Sequence, residues 1–202
     1  MDSFLFNEHY KLRTAVIEGE KTMTRRLIGN RMTNDDIKAY FKGYTELANK
    51  CAPYKINDVV AVAEPYKNIF EPDVLLQGSK VINGKRKKSW YPAIELGGWN
   101  NSMFISPEYM QHFVRITDVK VERLQDISED DCLKEGVYYN ADVDGYKIFN
   151  LSLPNKGWGH KFRQTYFQTP REAFAALIDK ISGKGTWKSN PFVFAYTFKF
   201  LK

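Results

Sequence analysis

The spacing of apolar residues predicts three helices of ordinary length in this chain. The first runs from a cap at Asn7 to a stop at Gly19. The second is predicted over residues 33–50, where a capping-box pattern precedes a continuous apolar stripe. The third begins after Thr169, carries proline at its first position and ends at Gly183.

Three other stretches have the alternation or the β-branched composition of strands. Residues 58–66, "DVVAVAEPY", predict a buried strand that ends at Glu64, just before a proline. Residues 112–127 predict a long strand whose alternation shifts midway, which indicates a bulge or a bend. Residues 190–201 alternate large aromatic side chains, so one face of this last strand is predicted to lie in the core.

The segments between these elements carry turn signals. A short helix is predicted over residues 128–136, with Glu135 as its last residue before a glycine. Asn83 and Gly84 predict a hairpin turn. Residues 137–168 lack a clear period and predict a long surface loop. Strands interleaved with short helices indicate an α+β domain around a mixed or closed sheet, with a small β-barrel and packed helices as its concrete form.

Composition fits one globular domain that spans residues 1–202 and has insertions at roughly 33–50, 67–98 and 138–168. Hydrophobic residues make up 43% of the chain, which is too many for a disordered protein. The formal charge of +6 suits a polyanionic partner without requiring one. The two cysteines and three histidines share no ligand spacing, so no metal and no cofactor are expected. We expect a cytoplasmic protein, because no signal peptide or membrane-length apolar run is present.

One short stretch, "GEKTMTRRL" at residues 19–27, combines groups with catalytic potential. Lys21 and Thr24 are three residues apart, so a turn-like backbone would bring the amine near the hydroxyl that it would activate. Arg25 and Arg26 add positive charge that favours a neutral lysine or holds a phosphate. Spacing alone leaves an alternative open, in which the cations complement a helix end and the threonines fill an edge strand.

Four blocks of this sequence resemble, in their order along the chain, those of the ASCH-domain family. The family has a PUA-like β-barrel fold and includes many bacterial and phage-encoded members, and many of its domains are regarded as RNA binders. The resemblance therefore implies a PUA-like α+β fold in which residues 33–50, 67–98 and 138–168 are additions. The blocks are "GEKTMTRRL" at 19–27, "DVVAVAEPY" at 58–66, "VKVERLQDISEDDCLKEGV" at 119–137 and "NPFVFAYTFKF" at 190–200.

One branch of that family is an amidohydrolase that removes the acetyl group from N4-acetylcytidine with a lysine, a threonine and a glutamate. Its Lys-Thr-x-Thr-x-Arg motif matches Lys21, Thr22, Thr24 and Arg26 here, and its glutamate falls on Glu135. The resemblance implies Lys21, Thr24 and Glu135 as catalytic residues, with a nucleoside or RNA as the partner. The members of that branch are shorter than this chain, and they lack counterparts of its three insertions.

Further groups and functions remain open. Thr22, Arg25, Arg26 and Glu64 are candidate substrate-binding residues, and Glu64 either positions Arg26 or forms an ordinary ion pair at a strand end. The basic run at 85–88, followed by two aromatic residues, is either a nucleic-acid contact or a solvated hairpin. A non-catalytic RNA-binding module is the alternative to an amidohydrolase, and a ribonuclease is the third hypothesis. The sequence leaves the oligomeric state unknown.

Overall fold

The computed structural model describes most of the chain, and it divides the chain into two compact units. Unit 1 comprises Met1–Phe6, Val59–Val114 and Leu201–Lys202, and unit 2 comprises Asn7–Asp58 and Arg115–Phe200. The described residues are 3–96, 99–100, 105–150, 152–154, 162–164 and 166–201.

Helices and strands alternate along the described residues, as expected for an α+β protein. The α-helices are α1 (Leu12–Ile17), α2 (Asn34–Phe41), α3 (Glu46–Cys51), α4 (Glu129–Lys134), α5 (Pro170–Ile181) and α6 (Thr186–Ser189). The strands are β1 (Ser3–Phe4), β2 (Met23–Leu27), β3 (Val59–Val62), β4 (Leu75–Ile82), β5 (Lys85–Pro92), β6 (Phe113–Arg123), β7 (Tyr138–Asn140), β8 (Gly145–Lys147), β9 (Ser152–Pro154), β10 (Phe162–Gln164) and β11 (Phe192–Leu201).

Unit 1 is built on β3 and on the hairpin of β4 and β5. Strand β1 pairs with β3 in parallel, and the Val62 N–H donates to the His112 carbonyl oxygen just before β6 (2.8 Å). Leu76 of β4 lies in a buried cluster that also contains Tyr66 and Leu96. Apolar residues of the β3 segment and of the hairpin therefore form the core of this unit.

The hairpin predicted at Asn83 and Gly84 is confirmed. Strands β4 and β5 pair antiparallel from Leu75 opposite Pro92 to Ile82 opposite Lys85. Asn83 and Gly84 have φ values of 51° and 72°. Positive φ at both central residues is what a tight two-residue turn requires, because it matches the twist of the flanking strands.

Unit 2 contains the hydrogen-bonded strand order β6-β11-β2. Strands β11 and β2 are antiparallel, with Tyr196 opposite Thr24 and Phe194 opposite Arg26. Because parallel and antiparallel pairs both occur, the protein is α+β with mixed strand pairing, as predicted. Within the described residues, neither unit closes its strands into a barrel.

The capping signals predicted for the two helices near the candidate site are confirmed. The Ser128 hydroxyl accepts from the Asp131 N–H at the start of α4 (3.1 Å), and Gly136 follows α4 with a φ of 102°. Thr169 and Glu172 form a reciprocal capping box at α5. Helix α5 buries one side, since Phe174, Ala173, Leu177 and Ile178 are at most 5% exposed.

Three segments differ from the sequence prediction. The helix predicted from Asn7 to Gly19 is a 3-10 helix at Glu8–Tyr10 followed by α1, since Lys11 between them adopts a φ of 50°. The continuous helix predicted over 33–50 is two helices, α2 and α3, since Gly43 between them adopts a φ of 112°. The surface loop predicted over 137–168 contains two antiparallel strand pairs, β7 with β8 and β9 with β10. Residues 151, 155–161 and 165 of that segment lie outside the described part of the chain.

Candidate functional site

Strand β2 presents the predicted site residues on two opposite faces. Side chains alternate along a strand, so Arg25 lies on one face and Thr24 and Arg26 lie on the other. Thr24 is 5% exposed and lies directly across the ladder from Tyr196. Burial raises the pKa of Tyr196, so its phenol stays protonated and neutral. Thr24 and Arg26 therefore share a face with a neutral phenol.

Lys21, just before β2, forms a buried ion pair with Glu135, just after α4. The Lys21 Nζ lies 2.6 Å from Glu135 Oε2, and the two residues are 2% and 4% exposed. The same Nζ donates to the carbonyl oxygens of Glu135 (2.8 Å) and Met23 (2.7 Å). The Met23 carbonyl belongs to the peptide that leads into Thr24, so the amine is held against the backbone beside that threonine.

Arg25 is surrounded by three carboxylates. Its Nε donates to Glu122 Oε1 (2.7 Å), its Nη1 to Glu135 Oε1 (3.1 Å) and its Nη2 to Asp131 Oδ2 (3.0 Å). The Arg25 side chain is 1% exposed. Glu135 therefore uses one oxygen for Lys21 and the other for Arg25, which fixes the plane of its carboxylate.

Two further lysines lie on the more exposed side of this cluster. Lys120 Nζ lies 3.0 Å from Glu122 Oε2 and 3.3 Å from Asp131 Oδ2. Lys134 Nζ lies 3.2 Å from Asp131 Oδ1. We name the seven residues the buried charge cluster: four cations (Lys21, Arg25, Lys120, Lys134) and three carboxylates (Glu122, Asp131, Glu135).

The environment of Lys21 lowers the pKa of its amine. Burial lowers the pKa of Lys21 below its ordinary value of 10.5, and the nearby cations Arg26 and Arg25 lower it further. The charge and hydrogen bond of Glu135 oppose this effect without overcoming it. A lysine with a lowered pKa gives up its proton more readily, which is what a general base requires.

Gly136 lets the chain pass close to Lys21 after α4. A Cβ at this position would lie 3.0 Å from Leu12 Cδ2 and 3.8 Å from Lys21 Cδ. Together with its φ of 102°, this close approach makes glycine the residue that fits here. Gly136, which the sequence predicts as the end of this short helix, therefore also helps to place Glu135 over Lys21.

The pH dependence of the free energy of unfolding should reveal how much the Asp131 carboxylate stabilises the fold. Burial alone would raise the pKa of Asp131, but Lys120, Lys134 and Arg25 together hold it below 3.8. A carboxyl with a lowered pKa stabilises the folded state above its unfolded-state pKa, and this contribution disappears as pH falls through the folded-state pKa. We expect the stability difference between wild type and Asp131→Asn to be constant near neutral pH and to shrink below pH 3.8.

Urea unfolding of both proteins at a series of pH values measures this difference directly. Other carboxyl groups titrate alike in the two proteins, so their contributions cancel in the difference between the two free energies of unfolding. A stability difference that stays the same from neutral pH to strongly acid pH would contradict the proposed contacts of Asp131.

The predicted site residues do not all belong to one unit. Lys21, Thr22, Thr24, Arg25, Arg26 and Glu135 belong to unit 2, and the Thr22 backbone N–H donates to the Lys134 carbonyl oxygen (3.0 Å). Glu64 belongs to unit 1, where its Oε1 lies 2.8 Å from His112 Nδ1 and accepts from the Gln111 N–H.

Sequence reasoning missed the other acidic members of the buried charge cluster. Glu122 and Asp131 lie 97 and 106 positions from Arg25 in the sequence. Glu122 follows the alternation of a strand, and Asp131 has the position expected of a helix-capping residue. The one available signal was that both lie within the family-like block at 119–137, next to Glu135.

A separate cavity of about 740 Å³ lies in unit 2, lined by α1, the end of α4 and β7. Leu133, Lys134 and Gly136 line it on either side of Glu135, but none of the seven predicted site residues does. Its other walls include the aromatic rings of Tyr10, Tyr138, Tyr139 and Phe149. The cavity thus adjoins the segment that carries Glu135 without exposing the Lys21–Glu135 pair.

The described residues lack two features, a metal-binding cluster and a membrane-spanning helix. They contain no group of three or more His, Cys, Asp or Glu side chains arranged to hold a metal ion. In the same part of the chain, no helix combines the length and the apolar character needed to cross a membrane. Comparisons of the chain with protein-family models, with curated proteins and with solved structures find no match.

Proposed function

We propose that this protein is an amidohydrolase that removes an acyl group from the exocyclic nitrogen of a cytosine nucleoside, with N4-acetylcytidine as the reference substrate. The observation that supports it best is the buried Lys21–Glu135 pair, 2.6 Å apart, at the start of the strand that carries Thr24. These are the three groups that the resemblance to the ASCH family implies. The proposal includes a PUA-like arrangement of the fold and a cytoplasmic location.

Thr24 is the nucleophile in this scheme. The neutral Lys21 amine accepts the proton of the Thr24 hydroxyl, and the oxygen attacks the carbonyl carbon of the N4-acyl group. When the C–N bond breaks, the Lys21 ammonium returns that proton to the departing cytosine amine. Water then attacks the acyl-threonine ester and gives one proton to Lys21. The acyl C–O bond to Thr24 breaks, and Lys21 passes this proton to the Thr24 oxygen. Cytidine and acetate are released, and Thr24 and Lys21 return to their starting forms.

Glu135 and Arg25 act as positioning residues in this scheme. Glu135 holds Lys21 with one carboxylate oxygen and is itself held by Arg25 with the other. Because Arg25 is engaged by three carboxylates, we assign it to the support of Glu135. Arg26 and Thr22 remain the candidate contacts to the nucleoside. Glu64 remains a candidate in unit 1.

The test is incubation of the purified protein with N4-acetylcytidine, with cytidine and acetate measured by chromatography. We expect turnover by wild type and a loss of at least about a hundredfold in Thr24→Val. Valine keeps the shape and the strand preference of threonine, so the substitution removes the hydroxyl with little change in packing. Thr24→Ser keeps a hydroxyl and should retain measurable turnover.

Thr197→Val is the matched control, because Thr197 lies in the paired strand opposite Met23, on the other face from Thr24. Equal losses in Thr24→Val and Thr197→Val would show damage to the sheet and would contradict a nucleophilic Thr24. No turnover by folded wild type would reject this substrate and would favour the alternative, a non-catalytic RNA-binding module.

A further inference from the structure

The hairpin of β4 and β5 in unit 1 carries nearly all of the protein's excess positive charge. Residues 75–92 contain Lys80, Lys85, Arg86, Lys87 and Lys88, and they contain no acidic residue. The rest of the chain has 25 lysines and arginines against 24 aspartates and glutamates, so it is almost neutral. Five of the six net positive charges therefore lie in this hairpin.

One face of the hairpin packs onto unit 1. Leu76 is 5% exposed, and a Cβ at Gly78 would lie 2.6 Å from Leu96 Cδ2, so the backbone at Gly78 lies close under Leu96. Lys80 of the same face forms an ion pair with Glu95. By the register of the ladder, Lys85 and Lys87 of β5 belong to this face.

The opposite face is exposed along its whole length. On β4 it carries Leu75 and Val81, which are 57% and 67% exposed. On β5 it carries Arg86, Lys88 and Trp90, and Trp90 is 62% exposed. We name the row of Arg86, Lys88 and Trp90 the basic-aromatic row. Alternate strand residues are about 6.6–6.8 Å apart, so its members form a straight line of two cations and an indole.

We propose that the basic-aromatic row binds single-stranded nucleic acid, with Arg86 and Lys88 on successive phosphates and Trp90 stacked on a base. Cations that follow a backbone, combined with an aromatic ring, are the recurring elements of single-strand binding. An exposed indole needs an unstacked base, which a duplex does not offer on its surface. This inference rests on unit 1 residues and does not depend on the amidohydrolase proposal.

The arrangement of charge favours nucleic acid over an anionic membrane. The tip of the hairpin is Asn83 and Gly84, flanked by Val81 and Ile82 on β4 and by Lys85 and Arg86 on β5. Trp90 and Leu75 lie at the opposite end. A hairpin that inserts into a bilayer needs its apolar residues at the leading end, with the cations behind them. Here two cations lie level with the apolar residues at the leading end, and the indole lies at the far end, so a ligand that lies lengthwise along the strand fits better.

The test is fluorescence anisotropy with a labelled single-stranded RNA of about 12 nucleotides, a length within the range that one such surface covers. We expect Arg86→Glu combined with Lys88→Glu to weaken binding at least about tenfold. The salt dependence of log K should also become shallower by about 1.4, since two phosphate contacts are lost. Trp90→Ala should weaken binding about tenfold, because base stacking on one ring is lost.

The matched control is Lys85→Glu combined with Lys87→Glu, which changes the charge equally on the other face of the same strand. We expect this control to weaken binding much less than the Arg86 and Lys88 pair does. All of these positions are exposed, and thermal unfolding of each variant checks that the hairpin remains folded.

Three results would overturn the proposal. Equal weakening by the two double variants would mean that net charge alone attracts the RNA. An unlabelled duplex of the same length that competes as well as the single strand would exclude single-strand recognition. A failure of wild type to bind the RNA would reject single-stranded nucleic acid as the ligand. In that case, sedimentation of wild type but not of Trp90→Ala with phosphatidylserine vesicles would assign the basic-aromatic row to membrane binding.

Discussion

Replacing Arg25 with methionine should lower the free energy of unfolding by about 3–5 kcal/mol. Methionine fills a similar volume, but it leaves Glu122, Asp131 and Glu135 without the guanidinium that all three contact. Lys21, Lys120 and Lys134 remain near these carboxylates, so the cluster is weakened but not left without cations. The loss is large because carboxylates removed from water keep their desolvation cost when the partner disappears.

Urea unfolding measures this effect as a lower midpoint at an unchanged dependence on urea concentration. Arg115→Met is the control, since Arg115 is exposed on β6 and the same substitution there should change stability by about 0.5 kcal/mol or less. If both variants lost the same stability, the buried charge cluster would contribute nothing specific to the fold.

Replacing Phe174 with alanine should cost about 3–5 kcal/mol. Phe174 is 0% exposed in α5, and its ring meets that of Trp187 edge to face, with centroids 6.2 Å apart. Truncation removes the transfer free energy of the ring and leaves a cavity in unit 2. The same unit contains α4, which precedes Glu135, so we also expect amidohydrolase turnover to fall with stability.

Thermal and urea unfolding of Phe174→Ala can be compared with Phe41→Ala. Phe41 is 57% exposed on α2, so the same substitution should cost about 1 kcal/mol or less. A small effect at Phe174 would show that the packing between α5 and α6 adjusts around the missing ring.

Local signals in the sequence predicted much of the fold. The capping box at Thr169 and Glu172, the turn at Asn83 and Gly84, and the aromatic strand β11 are each defined by residues a few positions apart. Such features follow from backbone geometry and short-range hydrogen bonds, which depend on residues close together in the sequence.

Features that depend on distant contacts or on single backbone angles were not predictable. The predicted helix over 33–50 has an apolar stripe that continues through Gly43, and only the φ of 112° there reveals the break. Helix α6 has four residues and lies between Gly185 and Asn190, both with positive φ, so it is too short for a periodic signal. The strand pairs within 137–168 are three residues long, below the length at which alternation can be recognised.

The candidate site, like the fold, was only partly predictable from the sequence. Lys21, Thr24 and Glu135 could be named from the sequence because a family resemblance connects them. The contacts of Arg25 with Glu122, Asp131 and Glu135 could not be predicted, because these carboxylates lie 97 to 110 residues away, on β6 and around α4. Arg25 was therefore predicted to contact substrate, whereas its observed contacts are to this chain's own carboxylates.

The alternation of Thr24 and Arg25 on β2 also bears on how the chain finds its register. A shift of β2 by one residue against β11 would move Arg25 to the face of Tyr196 and Thr24 toward the carboxylates. That misaligned strand would place a hydroxyl, instead of the guanidinium, beside the three carboxylates. We therefore expect the buried charge cluster to disfavour this misaligned register, because the three carboxylates would lose their buried cation.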